Sequence, residues 1–463
     1  MRYISTRGGI APVTFSEAVM MGLATDGGLL LPESIPTVDS ETLNDWSKLS
    51  FTELAKQVIG LFIDEADISA ADLGQLVDRS FASFSHHEVT PVIRVGDRYI
   101  LELFHGPTLA FKDVALQFLG NLFEHILAHK GGQLNIIGAT SGDTGSAAIH
   151  GVRGRENVQI FILHPRGRVS PIQEKQMTTV LDDNVHNIAI EGTFDDGQAI
   201  VKQLFNDLAF KDKHRLGAVN SINWARILAQ IVYYFYAWGR VAKVDSKRAT
   251  FSVPTGNFGD IFAGYMACRM GLPVEQLILA TNRNDILSRF FNTGSYSSGA
   301  VFPTISPSMD IQVSSNFERY LYYLLDEDST QLTYFMDKMN NEGGFSVSAD
   351  VLAKTKPLIW AKAVSESETK DTIKMVCEKY NYILDPHTAV GVCAADGRAG
   401  TICLATAHPA KFGQAVTDAT GQIPDTPDAL QGVMDRPARC HVLPASFDSV
   451  RDYIEEILKS KGC

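Results

Sequence analysis

Hydrophobic residues recur along the chain at two different spacings, and the dominant spacing changes near residue 95. Before that point the apolar positions of FTELAKQVIGLFI and ADLGQLVDRSFASF follow the turn of a helix, so residues 1–95 are predicted to form a helical unit. Directly after Pro91, VIRVGDRYILELF predicts two short strands that meet at a Gly96–Asp97 turn. The pattern therefore predicts a β-hairpin after the helices.

A long helix is predicted after the hairpin, in FKDVALQFLGNLFEHILAH. Its apolar positions fall on one face, and Gly131 with Gly132 is expected to end it. The positions on that face are Phe111, Ala115, Phe118, Leu122 and Ile126.

Two strand–loop–helix–strand units dominate the rest of the pattern. The first runs through LNIIG, ATSGDTG, SAAIHGV and VQIFILH, and the second through ATFSVP, TGNFG, DIFAGYMACRM and EQLILAT. Each unit connects two strands through a helix, which is the arrangement of parallel strands. The sequence therefore predicts an α/β protein, and the later ICLATAHP predicts one more strand.

Length and charge narrow the class of protein. At roughly 150 residues per domain, 463 residues suggest about three domains. The formal net charge of -12 and the pI of about 5.5 argue against nucleic acid or an anionic membrane surface as the main partner. Apolar runs are too short to span a bilayer, and YYFYAWG, starting at Tyr233, fits a buried helix. An anionic ligand would therefore need a local group of basic residues.

Cysteine use and the N-terminus indicate the compartment. The six cysteines are Cys268, Cys377, Cys393, Cys403, Cys440 and Cys463. They form no C-x-x-C pair, so neither a zinc ribbon nor a thioredoxin-like motif is present. The N-terminal MRYISTRGGIAPVTF has no apolar core of a secretory signal. We expect reduced thiols and a cytoplasmic location.

The loop Pro254–Asp260, in the second unit, has the composition of an anion site. It lies between the end of a strand and the start of a helix, where unpaired N–H groups and the helix dipole favour a phosphate. Gly256 and Gly259 allow close approach of the backbone. The loop matches neither the nucleotide-binding P-loop nor the dinucleotide fingerprint. The alternative is a tight turn capped by Asn257 and Asp260.

The loop Thr140–Gly145, in the first unit, has the same placement and carries three hydroxyl groups. It could hold a carboxylate on those hydroxyls and on backbone N–H groups. The alternative is an ordinary helix cap, in which Asp143 or Thr144 bonds the first turn.

Lys112 lies in LFHGPTLAFKD, at the predicted start of the long helix. The positive end of the helix dipole and the apolar residues before it both disfavour a charged lysine. A neutral amine is the nucleophilic form that a Schiff base requires. The alternative is a solvated lysine paired with Asp113.

The histidines are weaker candidates for metal-binding or catalytic residues. His125 and His129 have helical i,i+4 spacing, but EHILAH is not HExxH and the sequence shows no third ligand, so no metal site is expected. The pair His86–His87 is expected to be solvated. His387, in LDPHTAVG, is expected to be a buried, hydrogen-bonded histidine rather than a catalytic base, because no nucleophile neighbours it.

Several strings together resemble a known family. They are YISTRGG, TDGGLLLPESIP, ELFHGPTLAFKD, GATSGDTGSAA, PTGNFGD, DPHTAVG and TAHPAKF. In this order they are similar to the fold-type-II pyridoxal-phosphate enzymes, and among them to threonine synthases of the longer, microbial type. The resemblance implies a tryptophan synthase β-like fold. Its helical unit would span 1–95, its small domain 131–204, and its large cofactor-binding domain 96–130 and 205–463.

The resemblance also implies roles for individual residues. Lys112 would carry pyridoxal phosphate as a Schiff base, and the Thr406 hydroxyl would face the pyridine nitrogen. Two further sets follow from the motifs. The cofactor phosphate would lie on Gly256, Asn257, Phe258, Gly259 and Asp260. The substrate carboxylate would lie on Thr140, Ser141, Asp143 and Thr144.

The reaction that the resemblance implies is conversion of O-phosphohomoserine and water to threonine and phosphate. The substrate phosphate needs cations, and the candidates are Lys175, Arg226, Arg168 and Asn223. Two alternatives remain open, a phospho-lyase or dehydratase that releases a 2-keto acid and a non-catalytic homologue that binds the cofactor. The sequence predicts a small anionic amino acid as ligand and leaves monomer and homodimer open.

Overall fold

The computed structural model describes residues 1–241 and 248–461, so Cys463 lies outside the described residues. The helices are α1 (Phe15–Met21), α2 (Ser40–Trp46), α3 (Phe51–Gly60), α4 (Ala70–Phe81), α5 (Lys112–Lys130), α6 (Asp143–Val152), α7 (Pro171–Thr178), α8 (Phe194–Asn206), α9 (Leu208–Lys213), α10 (Trp224–Val241), α11 (Gly259–Arg269), α12 (Ile286–Thr293), α13 (Phe317–Leu324), α14 (Ser329–Glu342), α15 (Ala349–Ala353), α16 (Glu366–Tyr380), α17 (Pro386–Ala394), α18 (Gly413–Thr420) and α19 (Phe447–Ser460). The strands are β1 (Tyr3–Ser5), β2 (Leu30–Pro32), β3 (Val92–Val95), β4 (Arg98–Glu102), β5 (Leu134–Ala139), β6 (Val158–Pro165), β7 (Val185–Glu191), β8 (Leu216–Gly217), β9 (Ala249–Pro254), β10 (Val274–Thr281), β11 (Ser295–Ser297), β12 (Gly344–Ser346), β13 (Ile359–Ala363), β14 (Ile402–Ala405) and β15 (His441–Pro444).

The larger sheet of the described residues has six strands in the order β13-β10-β9-β14-β4-β3. Strands β9 and β10 are parallel and joined through α11, as the second strand–helix–strand unit predicts. Strands β3 and β4 pair antiparallel around Gly96, which confirms the predicted hairpin. The strand predicted in ICLATAHP is β14, next to β9 and β4.

The second large sheet has the order β15-β7-β6-β5-β8, with all neighbours parallel. Strands β5 and β6 confirm the first predicted unit. The two edge strands, β8 and β15, come from the range 205–463, which the resemblance implied to be part of the large domain. Helix α19 also buries Ile454 in the core of this sheet. We propose that the small domain includes these later segments.

Helix α5 forms the centre of the molecule. The predicted helix is present, but Lys112–Phe123 is buried on all sides and not on one face alone, because α4, α6 and α10 all pack against it. A Cβ at Gly120 would collide with the carbonyl oxygen of Gly151, so α5 and α6 approach with their backbones almost in contact. This contact fixes the start of one helix relative to the start of the other.

The predicted N-terminal helices are α1, α3 and α4, and they pack against α5 or α10. Capping boxes stabilise the starts of α1 and α3, where Thr14 pairs with Glu17 and Ser50 with Glu53. The YYFYAWG segment is buried within α10 as predicted. Across the described residues, no helix combines the length and apolar character needed to cross a membrane.

Candidate functional site

Lys112 is the first residue of α5, and only 10% of its side chain is exposed. The strand-like segment before it is bound to the segment after β14. The Phe111 N–H donates to the Thr406 carbonyl oxygen at 2.9 Å, and the His408 N–H donates to the Leu109 carbonyl oxygen at 3.1 Å. These bonds bring the TAHPAKF motif against the lysine motif, which is almost 300 residues earlier in the chain.

The side chain of Asp143, the first residue of α6, faces the Lys112 amine. Its Oδ2 lies 3.7 Å from Lys112 Nζ, and its Oδ1 lies 2.7 Å from Lys411 Nζ. Gln173 donates to Oδ1 at 2.7 Å, and the Ser308 hydroxyl donates to Oδ2 at 3.2 Å. Asp143 therefore connects two lysines and two neutral donors in one buried cluster.

The charges of this cluster control its protonation. Burial lowers the pKa of Lys112, Asp143 opposes that shift, and the nearby Lys411 ammonium adds to it. Burial alone would raise the pKa of Asp143, but the ammonium groups of Lys411 and Lys112 hold it well below its usual range. The carboxylate therefore stays charged, and burial shifts Lys112 toward the neutral form that acts as a nucleophile.

The predicted alternative, Lys112 as a solvated partner of Asp113, is wrong. The Asp113 carboxylate accepts hydrogen bonds from the N–H and the hydroxyl of Thr108, at 2.8 and 2.7 Å. Lys411 Nζ donates to the carbonyl oxygen of the same Thr108 at 2.7 Å. Asp113 thus stabilises the turn before α5, and the carboxylate that pairs with Lys112 is that of Asp143.

Arg226, on α10, is a second buried cation near Lys112. It is 4% exposed, and it contributes to the lowered pKa of Lys112. Burial lowers the pKa of Arg226 to about 10, so its guanidinium remains charged at neutral pH. Within the described residues it forms no ion pair within 4.0 Å, and its Nε has no hydrogen-bond partner. A buried, uncompensated guanidinium is a strong candidate for binding an anion.

The loop Pro254–Asp260 joins β9 to α11. Phe258 has φ of 63°, in the left-handed region, and no side chain caps the first turn of α11 in the described structure. A Cβ at Gly256 would lie 3.0 Å from the Ser308 carbonyl oxygen. The Asn257 carbonyl oxygen accepts from the Asn316 N–H at 3.0 Å, which anchors the loop. The predicted alternative of a cap by Asn257 and Asp260 is therefore not what the structure has.

The Asp260 carboxylate does not face this loop. Its Oδ1 accepts hydrogen bonds from the hydroxyls of Tyr233 at 2.6 Å and Tyr234 at 2.9 Å. Burial raises the pKa of Asp260 to about 6, and the two tyrosine hydrogen bonds oppose the shift. Asp260 could therefore contact a phosphate only through its backbone N–H, and not through its side chain.

In the loop Thr140–Gly145, the Thr140 hydroxyl oxygen accepts from the N–H groups of Gly142 and Gly145, at 3.0 and 2.9 Å. Its hydrogen remains available to a ligand. Ser141 is exposed and Thr144 is half-buried. The predicted cap by Asp143 or Thr144 is replaced by Thr140, because the Asp143 side chain is bound to the lysines.

Thr406 and Asn223 are two further residues that were predicted to belong to the site. Thr406 is buried next to the lysine motif, and its N–H donates to Thr388 Oγ1 at 3.2 Å. The Asn223 side chain is already engaged, since it donates to the Val19 carbonyl oxygen at 2.8 Å and accepts from the Ala225 N–H at 3.1 Å.

Two surface cations lie outside the buried cluster. Lys175, on α7, donates to the Arg436 carbonyl oxygen at 3.4 Å, and Arg168 is exposed on the loop before that helix. Helix α7 nevertheless reaches the cluster through Gln173, two residues before Lys175.

His387 is buried and hydrogen-bonded, as predicted. Its Nδ1 lies 2.9 Å from Asp385 Oδ1, and its Nε2 accepts from the Ser308 N–H at 3.2 Å. Lys411, Gln173 and Ser308 were missed by the sequence reasoning. The only signal for Lys411 was its place in TAHPAKF, and a pattern of local spacing could not show that it faces Asp143.

Comparison with known families covers most of the chain. The model for the threonine synthase N terminus matches residues 2–81, and the model for pyridoxal-phosphate-dependent enzymes matches residues 86–335. The threonine synthase C-terminal model matches residues 388–454. The cofactor class is therefore pyridoxal phosphate.

Individual relatives agree over nearly the full length. The chain is 50% identical to threonine synthase of Schizosaccharomyces pombe, over 97% of this chain and 93% of that protein. It is 48% identical to threonine synthase of Pseudomonas aeruginosa, over 98% of each. The crystal structure of PLP-bound threonine synthase from Brucella melitensis superposes with a TM-score of 0.95, at 47% identity and 99% coverage of both chains. With the family models, the relatives and the fold in agreement, the chain belongs to the threonine synthase family of fold-type-II pyridoxal-phosphate enzymes.

Proposed function

We propose that this protein converts O-phosphohomoserine and water into threonine and phosphate. The observation that carries the proposal is the buried cluster around Asp143. It combines an amine of lowered pKa, Lys112, with two further buried cations, Lys411 and Arg226, around the Asp143 carboxylate. A nucleophilic amine near a buried guanidinium that has no ion-pair partner in the described residues suits an amino-acid substrate that carries a phosphate dianion.

The residues present fit pyridoxal phosphate. The uncapped start of α11 offers backbone N–H groups to a phosphate, and Gly256 leaves room that a side chain would fill. Lys112 would hold the cofactor through Nζ, and the Thr406 hydroxyl would serve its ring nitrogen. When bound, the cofactor supplies an electron sink for the negative charge that develops beside the substrate nitrogen.

Lys112 would also move protons. Its Nζ would take the proton from Cα of the bound substrate and would transfer protons at the later carbons. Asp143 and Lys411 would position that amine, because the carboxylate binds both ammonium groups and is itself fixed by Gln173 and Ser308. The free hydroxyl hydrogen of Thr140 and the N–H groups at the start of α6 would hold the substrate carboxylate.

Arg226 is our first choice for the substrate phosphate, because its guanidinium is buried near Lys112 without an ion-pair partner in the described residues. Lys175 and Arg168 remain candidates that a movement of the α7 region would have to bring closer. The side-chain hydrogen bonds of Asn223 to Val19 and Ala225 argue for a structural role instead. A planar, permanently charged group suits the leaving phosphate.

One incubation tests the proposal. Purified holoenzyme is mixed with O-phosphohomoserine, and threonine, 2-ketobutyrate and released phosphate are measured together. We expect one threonine per phosphate. Mainly 2-ketobutyrate would identify a phospho-lyase, and no phosphate release from intact holoenzyme would refute both activities. A cytoplasmic location, expected from the sparse cysteines, is part of the proposal.

A further inference from the structure

Helices α4 and α5 bring three potential metal ligands together on the surface. Asp72 of α4 and His125 and His129 of α5 each offer a ligand atom, and these atoms lie within 4.8 Å of one another. His125 lies about 20 Å along α5 from Lys112, at about 1.5 Å per residue, so the cluster is separate from the buried site. The sequence showed only the two histidines, because Asp72 comes from a different helix.

The hydrogen bonds of the cluster leave its ligand atoms ready for a cation. His129 Nδ1 lies 2.8 Å from the His125 carbonyl oxygen, and a carbonyl can only accept, so Nδ1 carries the proton. Nε2 of His129 is then the unprotonated nitrogen, the form that binds metals. Asp72 Oδ2 accepts from the Ser69 hydroxyl at 2.7 Å, which fixes the carboxylate at the start of α4.

The two histidine rings are already neighbours. Their centroids are 4.1 Å apart, as the i,i+4 spacing allows. Arg79 is near the cluster, and its guanidinium lies 3.5 Å from Glu124, a carboxylate that also pairs with Arg155 at 2.9 Å.

We propose that Asp72, His125 and His129 form a binding site for a divalent transition metal such as Zn²⁺, with water completing the coordination. Two imidazoles and one carboxylate are a ligand set that Zn²⁺ accepts. Tetrahedral ligands lie about 3.3 Å apart at normal Zn distances, so the side chains must close by about 1.5 Å at most. His129 is exposed and can make that adjustment.

Such an ion would join the N-terminal helices to the central helix. Asp72 belongs to α4 and both histidines to α5, so binding would be lost whenever the two helices separate. A ligand that binds only the folded arrangement stabilises it in proportion to its concentration above Kd. The site therefore acts on stability and leaves turnover unchanged.

The test is a calorimetric titration of holoenzyme with ZnCl₂, combined with thermal unfolding. We compare the wild type with His129→Ala, Asp72→Asn and, as a matched control, His87→Ala, which removes another exposed histidine. We expect one Zn²⁺ per chain in this site, weakened about tenfold or more by either ligand substitution and unchanged in the control. Saturating Zn²⁺ should raise Tm by about 2 °C or more in the wild type and the control only.

Asp72→Asn is the decisive variant, because it distinguishes a three-ligand site from a histidine pair that chelates weakly on its own. Wild-type affinity in Asp72→Asn would overturn the proposal. Absence of Zn²⁺ binding by the wild type, or equal loss in His87→Ala, would overturn it as well. Threonine formation should be the same in all four proteins without added metal, so a failure here is distinct from a failure of the proposed activity.

Discussion

The loops Thr140–Gly145 and Pro254–Asp260 occupy the same place in two similar units, at the carboxyl end of a parallel strand and the start of a helix. Both contain an aspartate, but the two carboxylates differ. Asp143 faces two lysines and stays ionised, whereas Asp260 is turned toward two tyrosines and its pKa is raised by burial.

The difference supports two proposed roles for the same kind of backbone unit. In the first loop the carboxylate contacts the amines of Lys112 and Lys411, so we propose that this loop serves the reacting groups. In the second loop the carboxylate is removed from the helix start, which leaves the N–H groups and the helix dipole to a phosphate. The surrounding side chains, and not the strand–loop–helix geometry, decide which charge each loop presents.

Replacement of Lys112, the amine near the Asp143 and Asp260 carboxylates, should reduce activity more than any other substitution. Lys112→Ala removes the nucleophile and the proton carrier, so threonine formation should fall about a thousandfold or more. Product assays and borohydride reduction with peptide mapping check this. In the wild type the label should be on Lys112; a label on Lys411 would assign the role to the neighbouring lysine.

In the second loop, Gly256→Val should weaken cofactor binding roughly ten- to hundredfold, because the new side chain meets the Ser308 carbonyl oxygen and Met309 Cα at 3.0 and 3.3 Å. Cofactor titration measures the change. Gly74→Val is the matched control, since a Cβ there finds only Lys56 Cε, at 4.0 Å. Wild-type cofactor affinity with weaker substrate binding would mean that this loop holds the substrate phosphate.

Arg226 should bind the substrate phosphate through a charge-assisted contact. Arg226→Ala should raise KM for O-phosphohomoserine ten- to hundredfold, from a loss of about 1.5–3 kcal/mol, while the cofactor spectrum stays intact. Arg226→Lys keeps the positive charge, so its KM should rise less than that of Arg226→Ala. Lys175→Ala is the comparison variant, because it removes a cation on the surface. If cofactor occupancy falls instead, the guanidinium serves the second loop.

In the first loop, Asp143→Asn keeps the shape of the side chain and removes its charge. We expect kcat to fall about tenfold with the cofactor retained, because Lys112 and Lys411 then repel each other without a counter-charge. The carboxylate raises the pKa of Lys112, so its loss should move the pH profile of kcat to lower pH. An unchanged profile would contradict the positioning role.

In the second loop, Asp260→Asn should change turnover least and act on stability instead. Because burial raises the pKa of Asp260 to about 6, the folded protein binds this proton more tightly than the unfolded chain. Protonated Asp260 stabilises the folded state at acidic pH. This contribution to the free energy of unfolding, about 3 kcal/mol at most, is lost as pH rises from about 4 to 6. Relative to the wild type, Asp260→Asn should therefore gain stability across that window.

Denaturant unfolding at several pH values measures this gain. Asp39→Asn is a control of opposite sign, because hydrogen bonds from Thr42 lower the pKa of Asp39 and its contribution is lost as pH falls. Parallel pH curves for the wild type and Asp260→Asn would contradict the assignment.

The sequence predicted the parts of the site that depend on local pattern. The strand–helix–strand units and the positions of both loops follow from spacing within short segments, whereas the resemblance singled out Lys112 and Thr406. Lys411 was beyond such reasoning, because its contact with Asp143 depends on how two sheets assemble. The orientation of Asp260 was missed for the same reason, since Tyr233 and Tyr234 lie on another helix.

The domain assignment shows the same limit. Strands β8 and β15 are short, two and four residues, so their composition gives little signal. Their place at the edges of the β5–β7 sheet depends on pairing with residues far away in sequence. Burial of α5 on one face was predicted from the spacing of its apolar residues. That spacing does not show how many helices pack around α5.

The late position of β15 has a consequence for synthesis of the protein on the ribosome. Translation completes Lys112, Asp143 and β7 long before it reaches Lys411 and β15. During that interval β7 is an open sheet edge and Asp143 lacks one of its two lysines. An exposed edge on an unfinished chain is prone to pair with other chains. Growing polypeptides of this protein should therefore depend on chaperones until the final segment emerges.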